Sequence, residues 1–164
     1  MAGSRRADKD RRRIVQIHLD ERTVVRRSRD VEHERAVAIF DLLEDNHFAL
    51  IGDDSGPYGL RLSIEESRLV IDIRDEAEAP LAKVALSTLP FRKLIKDYFT
   101  VCESYYQAIR TATPSQIEAI DMGRRSLHDE GSALLKERLA DRIEIDINTA
   151  RRLFTLLCVL HIRG

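Results

Sequence analysis

Leu60-Arg-Leu-Ser-Ile-Glu-Glu-Ser-Arg-Leu-Val-Ile-Asp-Ile73 is the stretch on which the fold turns. Leu60, Leu62 and Ile64 alternate with polar residues, a Glu65-Glu66-Ser67 turn follows, and Leu69, Ile71 and Ile73 resume the alternation. A period of two on both sides of a short polar turn predicts an antiparallel hairpin with one apolar and one charged face. Val15, Ile17 and Leu19 alternate with Gln16 and His18 in the same way, and Leu81 to Leu86 supplies a softer strand after the Ala77–Pro80 loop. Ile143, Ile145 and Ile147 mark one more short strand.

Between these strands the period becomes helical. Asp30 can cap a helix beginning near Val31, with Ala36, Ile39, Phe40 and Leu43 as its buried face. From Pro90 to about Arg110, residues Phe91, Leu94, Ile95, Tyr98, Cys102, Tyr105 and Ile109 share one side. Thr113, Pro114 and Gln116 then form a capping box with proline at the first helical position. That helix should run to about Leu139, with an interruption at Gly131. The final helix, Thr149 to His161, is apolar on nearly every side, so it is either the central core helix or half of a dimer interface.

Strand, helix, three-stranded meander, helices, strand, helix is a segregated order. It predicts an α+β fold: a small antiparallel sheet of about four to five strands with helices packed on one face. At 164 residues with 43% hydrophobic and 34% charged content, one globular domain over 14–164 is expected, preceded by a disordered basic arm over 1–13. The arm carries Arg5, Arg6, Lys9, Arg11, Arg12 and Arg13 against Asp8 and Asp10. With acids interrupting it and no aromatic residues, a solvated tail is favoured over a nucleic-acid arm. A net charge of -1 gives no global attraction to nucleic acid or anionic membrane. No apolar run approaches the roughly 20 residues that span a bilayer, and no apolar core follows the basic residues as a signal peptide requires. Cys102 and Cys158 lie in apolar helical stretches without metal-type spacing, as small buried hydrophobes in a reducing cytoplasm do.

The functional interest centres on the capped helix. Ile117, Ile120, Leu127, Leu134 and Leu135 form one apolar arc, and Arg124 falls near its middle with Asp121 and His128 on its border. A cation in a core-facing stripe must be paired or must open onto something anionic. Two readings of the cluster follow. As an anion site, Arg124 and Arg125 hold phosphate or carboxylate, His128 is acid/base, Asp121 orients it, and Tyr106 with Arg110 walls the pocket. As a structural site, Arg124 reaches a carboxylate on a neighbouring element, Tyr105 is core and Tyr106 a surface aromatic; ion-pair networks share this pattern. His33, between Glu32 and Glu34, is a candidate only if buried beside Arg124. Glycine phosphate loops, G-x-S-x-G, H-E-x-x-H and paired cysteine ligands are all absent from the sequence, so no metal or cofactor is predicted.

Six segments also resemble one known family: Glu32 to Asn46, Gly56-Pro-Tyr58, Leu89-Pro-Phe-Arg-Lys93, Lys96 to Pro114, Ile117 to Gly131, and Thr149 to His161. They are similar to the alphaproteobacterial uncharacterised protein family 0262, over nearly the whole chain beyond the arm. The resemblance implies a bacterial cytoplasmic protein and brings no activity, cofactor or catalytic residue. Two functions remain in view: a non-catalytic binding or regulatory protein acting through a homodimer or protein partner, and an enzyme or binding domain for a small anionic ligand.

Overall fold

The computed structural model of the chain describes residues 9–21 and 29–161. The hairpin forms as the alternation dictates: β3 (Tyr58–Glu65) and β4 (Arg68–Asp75) pair antiparallel, with Leu62 opposite Ile71 and Leu60 opposite Ile73. The two-residue turn places Glu66 and Ser67 at φ of 52° and 61°, the left-handed geometry that matches strand twist. β5 (Pro80–Ser87) extends the sheet antiparallel to β4. On the other side lies β1 (Ile14–Leu19), and it runs parallel to β3, giving the order β1-β3-β4-β5. The expected all-antiparallel sheet is therefore a mixed one. Alternation reports which face a strand buries, and it is silent on the direction of the neighbour.

A parallel pair needs a crossover. It is supplied by α1 (Arg29–Glu44) and β2 (Phe48–Leu50), and β2 pairs antiparallel with β6 (Ile143–Ile145) as a separate two-stranded sheet. Asn46 fixes the junction: its amide accepts from Ile14 N at 2.7 Å and donates to the carbonyls of Ile14 and Leu42 at 2.9 and 2.8 Å. Of the segment 1–13, residues 1–8 lie outside the described residues. Residues 9–11 make one helical turn, and the Arg12 and Arg13 carbonyls accept from Phe48 N and Tyr58 N at 3.0 and 2.8 Å. The Arg11 carbonyl passes so close to Gly56 that a Cβ there would sit 1.8 Å from it.

Helices cover one face of the sheet. Leu60, Leu62, Leu69, Ile71, Ile73 and Val84 point into the core, while Gln16, His18, Arg61 and Lys83 lie exposed on the opposite face. α1 buries Ala38 and Leu42, with Ile39 and Leu43 partly covered; Ala36 and Phe40, expected inside, are exposed, Phe40 to 68%. Asp30 lies within its first turn instead of before it. After a 3-10 turn (Leu89–Phe91) come α2 (Arg92–Thr111) and α3 (Pro114–Leu139), whose capping box at Thr113 forms as read.

The last helix, α4 (Ile147–His161), begins two residues earlier than expected because Asp146 accepts from Thr149 N at 2.8 Å. Leu153 to Leu160 are all buried. Within one chain it is the central core helix, covered by α1, α2, α3 and the sheet. Among the described residues no helix is long and apolar enough to cross a membrane.

Gly131 does not interrupt α3, which is continuous through it. Its role is close approach: a Cβ there would lie 2.2 Å from Phe154 Cζ. The Phe154 ring cannot easily retreat, with Phe91, Tyr98 and His128 at centroid distances of 6.5, 6.3 and 5.3 Å. Gly131→Ala should cost about 1–3 kcal/mol through overpacking. Gly123→Ala, with nothing within 4 Å of its added carbon, should gain about 0.4–1 kcal/mol. Urea midpoints of the two variants, moving in opposite directions from wild type, check the pair.

Candidate functional site

α2, α3 and α4 meet around His128. Its ring lies 5.4 Å from Tyr98 and 5.3 Å from Phe154, centroid to centroid. Nε2 is 2.8 Å from Thr155 Oγ1, and Nδ1 is 3.4 Å from Ser132 Oγ. Each hydroxyl also reaches a backbone carbonyl, Thr155 that of Arg151 at 3.2 Å and Ser132 that of His128 at 2.7 Å. The ring thus has a hydroxyl partner at each nitrogen. Burial holds the His128 pKa below its ordinary value, outweighing the nearby Asp129 and Glu34 carboxylates, while Arg151 and Arg124 push the same way as burial.

One turn earlier on α3, Arg124 donates from Nε to Asp121 Oδ1 at 3.1 Å and from Nη2 to the same oxygen at 2.5 Å. Arg125 Nη2 donates to Asp121 Oδ2. The hydrogen bond from Arg124 is the main reason the Asp121 carboxyl titrates below its ordinary range; burial opposes it and Arg125 adds to it. Arg124 Cζ lies 4.7 Å over the Tyr105 ring, a cation–π contact that flattens the guanidinium against α2. Its remaining terminal nitrogen, Nη1, is 3.9 Å from Glu34 Oε1 on α1. That oxygen already accepts from Tyr106 OH at 2.8 Å.

Between α1, α3 and α4 this cluster opens into a cleft of about 470 Å³. Arg124, Arg125, Arg151 and Arg152 line it, with Glu34, Asp41 and Asp129 as the carboxylates and His128 and Thr155 on its floor. Arg151 Nη2 meets Asp129 Oδ1 at 3.1 Å, and Arg152 Nε lies 3.8 Å from Asp41 Oδ2. A larger hollow of about 640 Å³ lies on the open face of the sheet. The helical cleft gathers four arginines around a buried imidazole whose pKa is held down by burial, which makes it the better site candidate.

Of the residues singled out in the sequence, Arg124, Arg125 and His128 come together in the cleft. Asp121 serves the two arginines and does not touch His128; the partners of the imidazole are Thr155 and Ser132. Tyr106 and Tyr105 act behind the cleft, one on Glu34 and one under Arg124, while Tyr106 itself lines a narrow apolar crevice with Cys102 and Cys158. Arg110 is exposed at the end of α2 and does not line the cleft, and His33 is exposed on α1. Cys102 and Cys158 are free and buried; burial pushes the Cys102 thiol up to about 11 and raises Cys158 as well. Among the described residues no group of three or more His, Cys, Asp or Glu could hold a metal ion.

Sequence reasoning missed Glu34, Asp41, Asp129, Arg151 and Arg152. Glu34 reads equally well as a first-turn acid favoured by the helix dipole. The Arg151-Arg152 pair was the available signal, since it breaks an otherwise apolar helix.

A profile described as "Uncharacterised protein family (UPF0262)" matches residues 11–163. A UPF0262 protein of Rhodospirillum rubrum is 64% identical over 156 residues, covering 95% of this chain and 96% of that protein. One from Paramagnetospirillum magneticum is 58% identical over 94% of this chain and 98% of its own length. One from Brucella anthropi is 62% identical, over 93% and 95% respectively. Their names state no activity. No solved structure matches the chain.

The His128 environment sets a pH dependence. In the unfolded chain the imidazole takes up its proton near 6.5, and in the fold it does so only at lower pH. Its contribution is therefore fully present above 6.5 and is lost as pH falls from there through the folded value. Melting temperatures between about pH 8 and pH 5 should fall for wild type and fall less for His128→Gln. An identical slope in the variant would place the acid sensitivity on another group.

Proposed function

The chain belongs to Uncharacterised protein family (UPF0262), and from that premise we propose that it is a non-catalytic binding protein for a small anionic ligand. The ligand occupies the cleft between α1, α3 and α4, and its phosphate or carboxylate is held by Arg124. The observation that carries this reading is how loosely two of the cleft's four arginines, Arg124 and Arg152, are paired on their open side. Arg124 Nη1 and Arg152 Nε stand 3.9 and 3.8 Å from their carboxylates, beyond hydrogen-bond distance. Meanwhile Asp121 and Tyr105 fix the back of Arg124. A guanidinium anchored behind and unsaturated in front is prepared to receive a planar or tetrahedral anion without reorganising.

The chemistry of the same groups argues for binding over catalysis. The thiols are buried and protonated, and the Tyr98 and Tyr106 phenols are pushed up by burial first. His128 is hydrogen-bonded to Thr155, and the carboxylates lining the cleft stand beside its arginines, so these groups are engaged in pairing rather than set apart for proton transfer. The homodimer reading loses its main support, because the α4 surface on which it rested is covered within one chain.

Thermal unfolding against phosphates, phosphorylated sugars and carboxylates, in wild type and Arg124→Gln, tests the reading. A ligand at about 100 times its Kd should add about 2.7 kcal/mol to wild type, a rise of about 5–10 °C. The rise should vanish in Arg124→Gln, a variant that leaves Asp121 with Arg125 and Glu34 with Tyr106. No rise with any anion, together with a much less stable Arg124→Gln, would make the arginine purely structural.

A further inference from the structure

The helix directions around the cleft specify what shape of anion it suits. Tyr98 packs on both His128 and Phe154, while Cys102, one turn along α2, feels the charge of Arg124 and lines a crevice with Cys158. Going from residue 98 to 102 on α2 therefore means going from 154 to 158 on α4, but from 128 back to 124 on α3. α3 and α4 run antiparallel, as their short connection through β6 also requires. The His128–Thr155 contact at 2.8 Å marks where they cross.

From that crossing point Arg124 lies one turn away in one direction. Arg151, one turn before Thr155 on the antiparallel helix, lies one turn away in the opposite direction. Their backbones are thus about 12 Å apart along the helix axes. The observed partners set the two heads differently: Arg124 reaches back along its own helix to Asp121, away from the crossing, whereas Arg151 reaches across to Asp129, next to His128. Arg125 stands beside Arg124, and Arg152 beside Arg151. Between the two cationic ends lie the His128 imidazole and the Thr155 hydroxyl, with the Asp129 carboxylate there already paired to Arg151.

We propose that the cleft takes a molecule with two anionic groups at the ends of a short neutral span, one received by Arg124 and the other by Arg151. This rests on the anion-binding reading above and narrows it to a two-ended ligand, a dicarboxylate or a bisphosphate. A single phosphate or carboxylate would leave one cationic end to its own carboxylates. A linked pair gains from the second contact through its high effective concentration.

Calorimetric titration of the full chain with the α,ω-dicarboxylates succinate, adipate and suberate, and with hexanoate as the one-ended control, tests this. A parallel series of alkanediol bisphosphates, with hexyl phosphate as control, separates phosphate from carboxylate recognition. The expected result in one of the two series is about tenfold or tighter binding of the two-ended member over the one-ended control of matched length. Affinity should peak at one chain length. Arg151→Gln should reduce that ligand to the affinity of its control, and Arg124→Gln should abolish its binding. Equal affinity of one-ended and two-ended probes in both series, or an Arg151→Gln variant that binds as wild type, overturns the two-ended proposal and leaves the anion-binding reading standing. Binding of neither series overturns both. The comparison of controls in wild type needs no variant, so a variant that fails to fold does not blunt the test.

Discussion

The contact on which the rest of the molecule depends is the Phe154 ring seated where Gly131 has no side chain. It brings α3 and α4 closer than two helices with ordinary residues could approach. That proximity allows His128 to reach Thr155 and Asp129 to reach Arg151, so the cleft geometry follows from one missing methyl group. Tyr98 and Phe91 close the same ring from α2 and the preceding turn, tying the helical layer to the start of the meander's exit. The apolar contacts are non-directional, but the absent Cβ gives them a single register.

Around that rigid apolar centre the polar groups are arranged by depth. Deepest are groups kept neutral by burial: the Cys102 and Cys158 thiols and the His128 imidazole. One shell outward, Asp121 is saturated by two arginines. Outermost stand the guanidiniums whose pairing is partial. Charge is thus excluded from the interior and concentrated at the rim of the cleft, where solvent screening keeps its cost modest. The Tyr106–Glu34 hydrogen bond belongs to this arrangement as well. By occupying Oε1 of Glu34 it limits how far that carboxylate can neutralise Arg124.

Much of this was legible in the residues. The hairpin, the capping box at Thr113, the apolar character of the last helix and the break made by Arg124 in an apolar arc follow from periodicity and capping chemistry alone. Three things did not follow. The parallel direction of β1 is set by Asn46 and by backbone bonds from residues 12 and 13, which no pattern within β1 encodes. β2 is three residues long, too short to show a period, and exists because β6 lies opposite. At the site, the arginines on α3 were readable but their partners were not. Glu34, Asp129 and Arg151 meet only after three helices pack, and a one-dimensional pattern holds no information on which exposed charges will face one another. Phe40 shows the converse error: its spacing fits the buried stripe of α1, yet the helix is rotated so that Ala38 and Leu42 take the core.

The parallel pairing of β1 has a consequence for how the chain is made. Synthesis delivers residues 14–19 well before their only sheet neighbour in the described fold, β3, which begins at Tyr58. An antiparallel partner next in sequence would have captured the strand at once; this one must wait while α1 and β2 emerge. Until then Ile14, Ile17 and Leu19 present an apolar edge with no mate, beside a run of arginines that keeps the nascent segment charged. β1 is therefore translated well before the strand it docks on, and closure over such a distance is slower than formation of the local hairpin. The basic residues flanking β1 then act before any ligand is met, keeping an unpaired strand in solution until its partner exists.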